Sequence, residues 1–285
     1  MSTLYAIQLL NGLTFGALLF VVAAGFTLVF GLMRIVNLSH GTLYLLGGYV
    51  GLTVAQKSGS FLAALAAAAA AIAVTGFVIE RGLIRAVKGV ELREVLITLG
   101  AGLVLNDLAL VLWGGDTFSV PVPESLAGAA RLGALSYPRY RLGVLAAGVL
   151  IFVSLWLLLN RTRLGALIRA GVDDAEMVDA LGIDIRRIFV LTFMLGSALA
   201  GVAGVLGGAF LTLYPSADAE ILVFSLAVVI IGGRGSLTGA AVGAVLVGLL
   251  YQFGQVWFPE LAYFVIFGPM ALLLAFRPLG LFGRA

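Results

Sequence analysis

From Leu4 to Met33 the chain carries no charged residue. A helix needs ~20 apolar residues to cross the hydrocarbon core of a bilayer, so this run exceeds one crossing and leaves length for tilt or an irregular stretch. Apolar segments recur at 41–56, 61–79, 95–114, 141–160, 188–213, 219–233, 237–257 and 261–277, and two of them, 41–56 and 219–233, fall short of a crossing. With 62% hydrophobic and 11% charged residues, the pattern predicts an all-α, polytopic membrane protein of about eight to nine transmembrane helices, one or two short or broken. No polar stretch is long enough for a soluble unit, so residues 1–285 read as one transmembrane domain.

The basic residues set the expected orientation. Arg34, the 80–94 and 161–187 loops, Arg234 and the tail after Phe276 hold thirteen of the seventeen Lys and Arg residues; Lys57, Arg131, Arg139 and Arg141 fall on the other side. Cytoplasmic loops carry the basic excess, which predicts an outside N-terminus and a cytoplasmic C-terminus. Nothing basic precedes Arg34 and the first apolar run is too long for a signal peptide.

Residues 161–187 then form a cytoplasmic loop that gathers ten of the thirty-one charged residues. Within it, Asp173 to Gly182 has the pattern of a very short, terminated helix. Asp173 is an expected N-cap with Glu176 three residues on, as in a capping box, and Gly182 supplies the left-handed stop. Met177, Val178 and Leu181 form an apolar patch at helical spacing, amid the acidic Asp173, Asp174, Glu176 and Asp179. A helix this short is unstable alone. Something must hold it, and such a stub suits docking to a soluble partner.

Two polar interruptions precede short spans or follow them. Arg34–Gly41 separates the first span from the second, and Gly232–Gly239 separates the seventh from the eighth. Glycine-interrupted short segments in the two halves point to broken helices beside a translocation path; tight interhelical turns are the plainer alternative. Asn37, Ser39 and His40 lie in the first interruption, and Asn106 and Asp107 lie within the fourth span. A charge in mid-bilayer costs roughly 2.5–3.5 kcal/mol on insertion scales, so Asp107 must snorkel, pair or face a water-filled path. Asn11 poses a milder form of that question. The small residues Gly196, Ala200, Gly204 and Gly208, and Gly235, Gly239 and Gly243, recur every four residues, as close helix packing requires.

Several chemistries are disfavoured. The chain has no cysteine and one histidine, so there is no thiolate metal site and no nucleophile–base constellation around His40. Gly232–Gly239 lacks the Gly-Lys-Ser/Thr ending of a phosphate-binding loop. No cofactor is expected in this chain, and an ATP motor would be a separate polypeptide. The basic residues flank membrane helices, which leaves no nucleic-acid surface and makes lipid the expected surroundings.

The residues also resemble a known family. Asn11-Gly12-Leu13, Phe30 to Gly41 through Gly47-Gly48-Tyr49, Ile97-Thr98-Leu99-Gly100 with Asn106, Arg169-Ala170 through Ala180 to Asp184, Ser197 to Gly204, and Phe276 to Gly283 are similar to the permease subunits of branched-chain amino acid ABC importers, the shorter LivH-like member of the pair. The resemblance implies a path shared with a second permease, two ATPase subunits that bind ATP, and an extracytoplasmic solute-binding protein. It implies leucine, isoleucine and valine as cargo, with urea, amides or other amino acids carried by relatives. Coupling to the ATPase would fall to Asp173, Asp174, Glu176, Met177, Val178, Leu181 and Gly182, and the path to Asn37, Ser39, His40, Asn106 and Asp107. An ion-gradient transporter or channel using Asp107 is the alternative of another class.

Overall fold

The computed structural model describes residues 2–87, 89–133 and 135–283. The order is α1 (Ser2–Met33), α2 (His40–Ser58), α3 (Phe61–Ile79), α4 (Glu91–Trp113), the strands β1 (Ala129–Leu132) and β2 (Leu135–Pro138), α5 (Arg139–Arg161), α6 (Arg163–Asp173), α7 (Ala175–Ala180), α8 (Ile185–Phe210), α9 (Ala217–Gly232), α10 (Leu237–Trp257) and α11 (Ala262–Phe276). Among the described residues six helices are long and apolar enough to cross a membrane: α1, α3 with its extension, α4, α5, α8 and α10. The two segments expected to be short are helices of 19 and 16 residues, α2 and α9.

α1 is the central pillar. Its 32 residues span ~48 Å at 1.5 Å per residue, and α5, α8, α9 and α10 pack around it. Its most apolar window is 94% buried, against 22% for α4 and for α5, which lie at the periphery. Lipid gives helices no hydrophobic reason to associate, so close backbone approach must hold them. The small-residue stripe of α8 does this within the chain: Gly196 lies on Gly25 of α1, and Gly204 lies on the Tyr44 carbonyl of α2. A Cβ at Gly204 would overlap that carbonyl, which is backbone and cannot rotate away. Gly204→Leu should therefore separate α2 from α8, lowering stability by at least about 1–3 kcal/mol. A thermal-melt shift of the detergent-purified chain reads this directly.

Three expectations need correction. The outer segment after α4 departs from an all-helical chain, because Pro121, Pro123 and Pro138 break helix and β1 pairs antiparallel with β2, Ala129 opposite Pro138. The 80–94 loop is mostly helical: α3 continues through a π-helical turn, Glu80–Ile84, to Val87, and α4 starts at Glu91. Residues 161–187 are likewise no loop, since α6, α7 and the start of α8 occupy them. α6 buries Gly165, Ile168 and Gly171 on one face, so its charges lie on a helix surface rather than in irregular chain.

Candidate functional site

α1 ends at Arg34, whose φ of 56° turns the chain sharply. Residues 34–37 are then irregular, yet Ile35 and Asn37 are buried. Non-helical backbone at membrane depth is tolerated only where protein satisfies its polar groups. Thr98 of α4 does so: its hydroxyl accepts from Leu38 N at 3.2 Å and lies 3.4 Å from the Val36 carbonyl. Asn37 Oδ1 accepts from Ser39 N at 3.1 Å and from Ser39 Oγ at 2.6 Å. α2 thus starts deep inside the molecule. His40, its first residue, bonds through Nε2 to the Val22 carbonyl at 3.0 Å, about 16 Å back from the end of α1 by helix rise. A carbonyl only accepts, so Nε2 carries the proton. The ring packs edge-on against Phe26, with centroids 5.3 Å apart.

Two residues further along, α2, α4 and α9 meet on a carboxylate. Thr42 Oγ1 donates to Asp218 Oδ2 at 2.9 Å, and Asn106 Nδ2 donates to the same oxygen at 3.2 Å. Asp218 is half-buried in the first turn of α9, where a negative charge complements the helix dipole. α4 is also tied to α2 nearer its end, where Trp113 Nε1 donates to Thr53 Oγ1 at 2.8 Å and the indole stacks on Tyr49 at 5.3 Å. The same first turn of α9, through Ala217 and Glu220, lines a separate cavity of about 210 Å³ walled by Phe15, Tyr44, Phe224 and Tyr251. Tyr214 donates its hydroxyl to Glu220 Oε2 at 2.7 Å.

The expected path residues therefore divide. Asn37 and Ser39 form one hydrogen-bonded corner, His40 turns toward α1, and Asn106 joins Asp218. Asp107 does not belong with them: adjacent helical residues point about 100° apart, and Asp107 is exposed on the outer face of α4 among Leu103, Val104 and Val111. Asn11 is structural. Its Oδ1 accepts from Tyr137 at 3.1 Å and Arg141 at 2.5 Å, which pins the outer hairpin and α5 to α1. Asp218, Thr42 and Thr98 are the residues the sequence reading missed.

The stub is α7, with its cap shifted by one residue. α6 remains helical through Asp173, and it is Asp174 that takes the extended backbone (φ −154°, ψ 96°) an N-cap needs. Asp174 Oδ1 accepts from Met177 N at 2.9 Å, so Asp173 is not the cap and Glu176 completes no capping box. Gly182 does take the left-handed conformation, at φ 82°. The apolar patch is split: Val178 is buried and holds the stub to the body, while Met177 and Leu181 stand 57% and 72% exposed. Asp173, Asp174, Glu176 and Asp179 are exposed around them. Asp184 starts the next helix, accepting from Arg186 N at 3.1 Å and pairing with Arg187 at 2.9 Å.

Arg34 from the first polar interruption and Arg234 with Gly235 from the second lie with Asp173 of α6 and Phe282 of the tail around one cleft. Arg234 lies 5.1 Å over the Phe30 ring, and Leu281 N and Phe282 N donate to the carbonyls of Ile231 and Gly232 at 2.9 and 3.0 Å.

Comparison with known proteins identifies the family of the chain. The family model for the permease component of branched-chain amino acid transport systems matches residues 8–274. BraD of Pseudomonas aeruginosa, a high-affinity branched-chain amino acid transport permease, is 34% identical over 98% of this chain and 96% of its own length. LivH of Escherichia coli K12 is 28% identical over 97% of this chain and 95% of its own. The ribose import permease RbsC of Escherichia coli K12 is 28% identical over 81% and 72%. No solved structure matches. A match across nearly all of the helical body, residues 8–274, makes this chain a member of the branched-chain amino acid transport permease family.

Proposed function

We propose that this chain is one transmembrane subunit of an ATP-binding cassette importer in the bacterial inner membrane, passing branched-chain amino acids along a path shared with a sister permease. The observation that carries this is the interrupted α1–α2 connection, which puts a helix start and the Asp218–Thr42–Asn106 cluster at depth, where only a path or a buried partner repays polar groups. The aromatic cavity with Glu220 beside it suits a zwitterion with an apolar side chain: ring faces for the side chain, a carboxylate for the ammonium. Exposed Asp107 on peripheral α4 supports a sister permease against that face, because a charge facing lipid would cost a few kcal/mol. The shorter helices α2, α9 and α11, beside the six long ones among the described residues, support eight to nine crossings, and the positive-inside rule supports an outside N-terminus and a cytoplasmic C-terminus. α7 would then dock on one of two ATPase subunits, which bind the ATP, and an extracytoplasmic binding protein would deliver substrate on the opposite face. Similarity to a ribose permease supports assigning much of the selectivity to that binding protein.

Reconstitution tests the assignment. Proteoliposomes holding this chain, its sister permease and both ATPases should take up leucine only with ATP and the loaded binding protein. Uptake driven by an ion gradient through this chain alone, and lost in Asp107→Asn, would replace this reading with the ion-coupled one.

A further inference from the structure

A second cavity, about 790 Å³, opens between the π-helical end of α3 and the corner where α7 leads into α8. Arg81 and Arg85 line it from α3, Arg186 and Arg187 from α8, and Phe77 and Met194 form an apolar wall. We propose that this groove binds an anionic phospholipid, the phosphate among the arginines and the upper acyl chain along Phe77 and Met194.

The charge balance favours an anion. Asp184 is engaged by Arg187 and caps α8 through Arg186 N, and Asp179 is the other acid on the wall. Four guanidinium groups against two carboxylates leave a positive surplus. The shape favours a lipid over a free anion. The charged end sits at the helix ends, and the apolar end continues along spans whose outer faces carry exposed Val74, Val78 and Leu191. Arg81 already lies with its guanidinium 5.6 Å over the Phe77 ring, at the seam between the two halves. Basic pockets between spans on the cytoplasmic side are suited to acidic headgroups. The π-helical turn adds a residue where Arg81 and Arg85 enter the wall, the kind of irregularity that recurs at functional positions. A protein occupant is less well matched, because Met177 and Leu181, the exposed apolar residues of α7, take no part in the lining.

Native mass spectrometry of the detergent-purified full chain tests this, with phosphatidylglycerol and phosphatidylcholine added in equal amounts. Phosphatidylglycerol should be retained preferentially, and Arg81→Gln with Arg186→Gln should lower its retention on the order of ten-fold. Arg163→Gln with Arg169→Gln, outside the groove, should leave it unchanged. If the groove double variant is not monodisperse, the single variants carry the test, each with a reduction of about three- to five-fold. Equal retention of the two lipids, or retention unaltered by the groove variants, overturns the proposal. Displacement by inorganic phosphate at constant ionic strength would make it a free-anion site, and displacement by the ATPase subunits would make it a protein interface; either result also overturns it.

Discussion

Met177→Asp with Leu181→Asp should reduce ATP-driven uptake to background while the permease still inserts and pairs. The two side chains are more than half exposed, Met177 on a helix of six residues and Leu181 at its C-cap, and that helix buries Val178 rather than either of them. Their removal therefore costs the fold little. If they fill an apolar groove on the ATPase, they are anchors in a contact whose best residues are each worth ≥ ~2 kcal/mol, so losing both weakens docking about a thousandfold. The acidic collar makes the effect asymmetric. Asp173, Asp174, Glu176 and Asp179 would steer a basic partner, and steering changes association rate and salt dependence more than final affinity. Neutralising Glu176 and Asp179 should thus slow assembly at low salt and leave saturated uptake near normal. Uptake and ATP turnover in the reconstituted complex measure both effects. Full coupling in the Met177/Leu181 variant would remove α7 from the contact.

Spans were legible because each crossing needs a long apolar run, and that signal survives errors of a few residues at either end. The same tolerance hid Asp218. Hydropathy starts the seventh apolar segment at 219, so a carboxylate in the first turn of α9 was counted with the turn before it. Its meaning lies in Thr42 and Asn106, which are 176 and 112 residues away in sequence. The stub shows a finer limit. Two adjacent aspartates both fit an N-cap, and choosing Asp174 requires knowing that α6 stays helical one residue longer. Apolar spacing put Met177, Val178 and Leu181 on one patch, but spacing does not say which of three neighbours points inward. Asn106 and Asp107 carry the same ambiguity. One belongs to the cluster and the other to the outer face, and only the rotation of α4 against α2 separates them.

Asp218→Ala should damage this protein more than any other single change at the site, and Asp218→Asn tells why. Alanine leaves the Thr42 hydroxyl and the Asn106 amide without their acceptor, and unsatisfied buried polar groups cost about 1–3 kcal/mol each. α2, α4 and α9 then lose the point they share, so both the melting temperature and uptake should fall. Asparagine keeps an oxygen where Oδ2 sits and can still accept from Thr42 and Asn106, so the melt should stay within about 1 kcal/mol of wild type. It removes the charge. Both hydrogen bonds end on Oδ2, so on the proposed path the other carboxylate oxygen, Oδ1, would meet a substrate ammonium. A hydrogen bond to a charged group is worth roughly 1.5–3 kcal/mol, so losing it should cut uptake at least about ten-fold in a variant that melts normally. If the asparagine variant transports as well as wild type, Asp218 is a structural tie, and the path must run past Glu220 and the aromatic cavity instead.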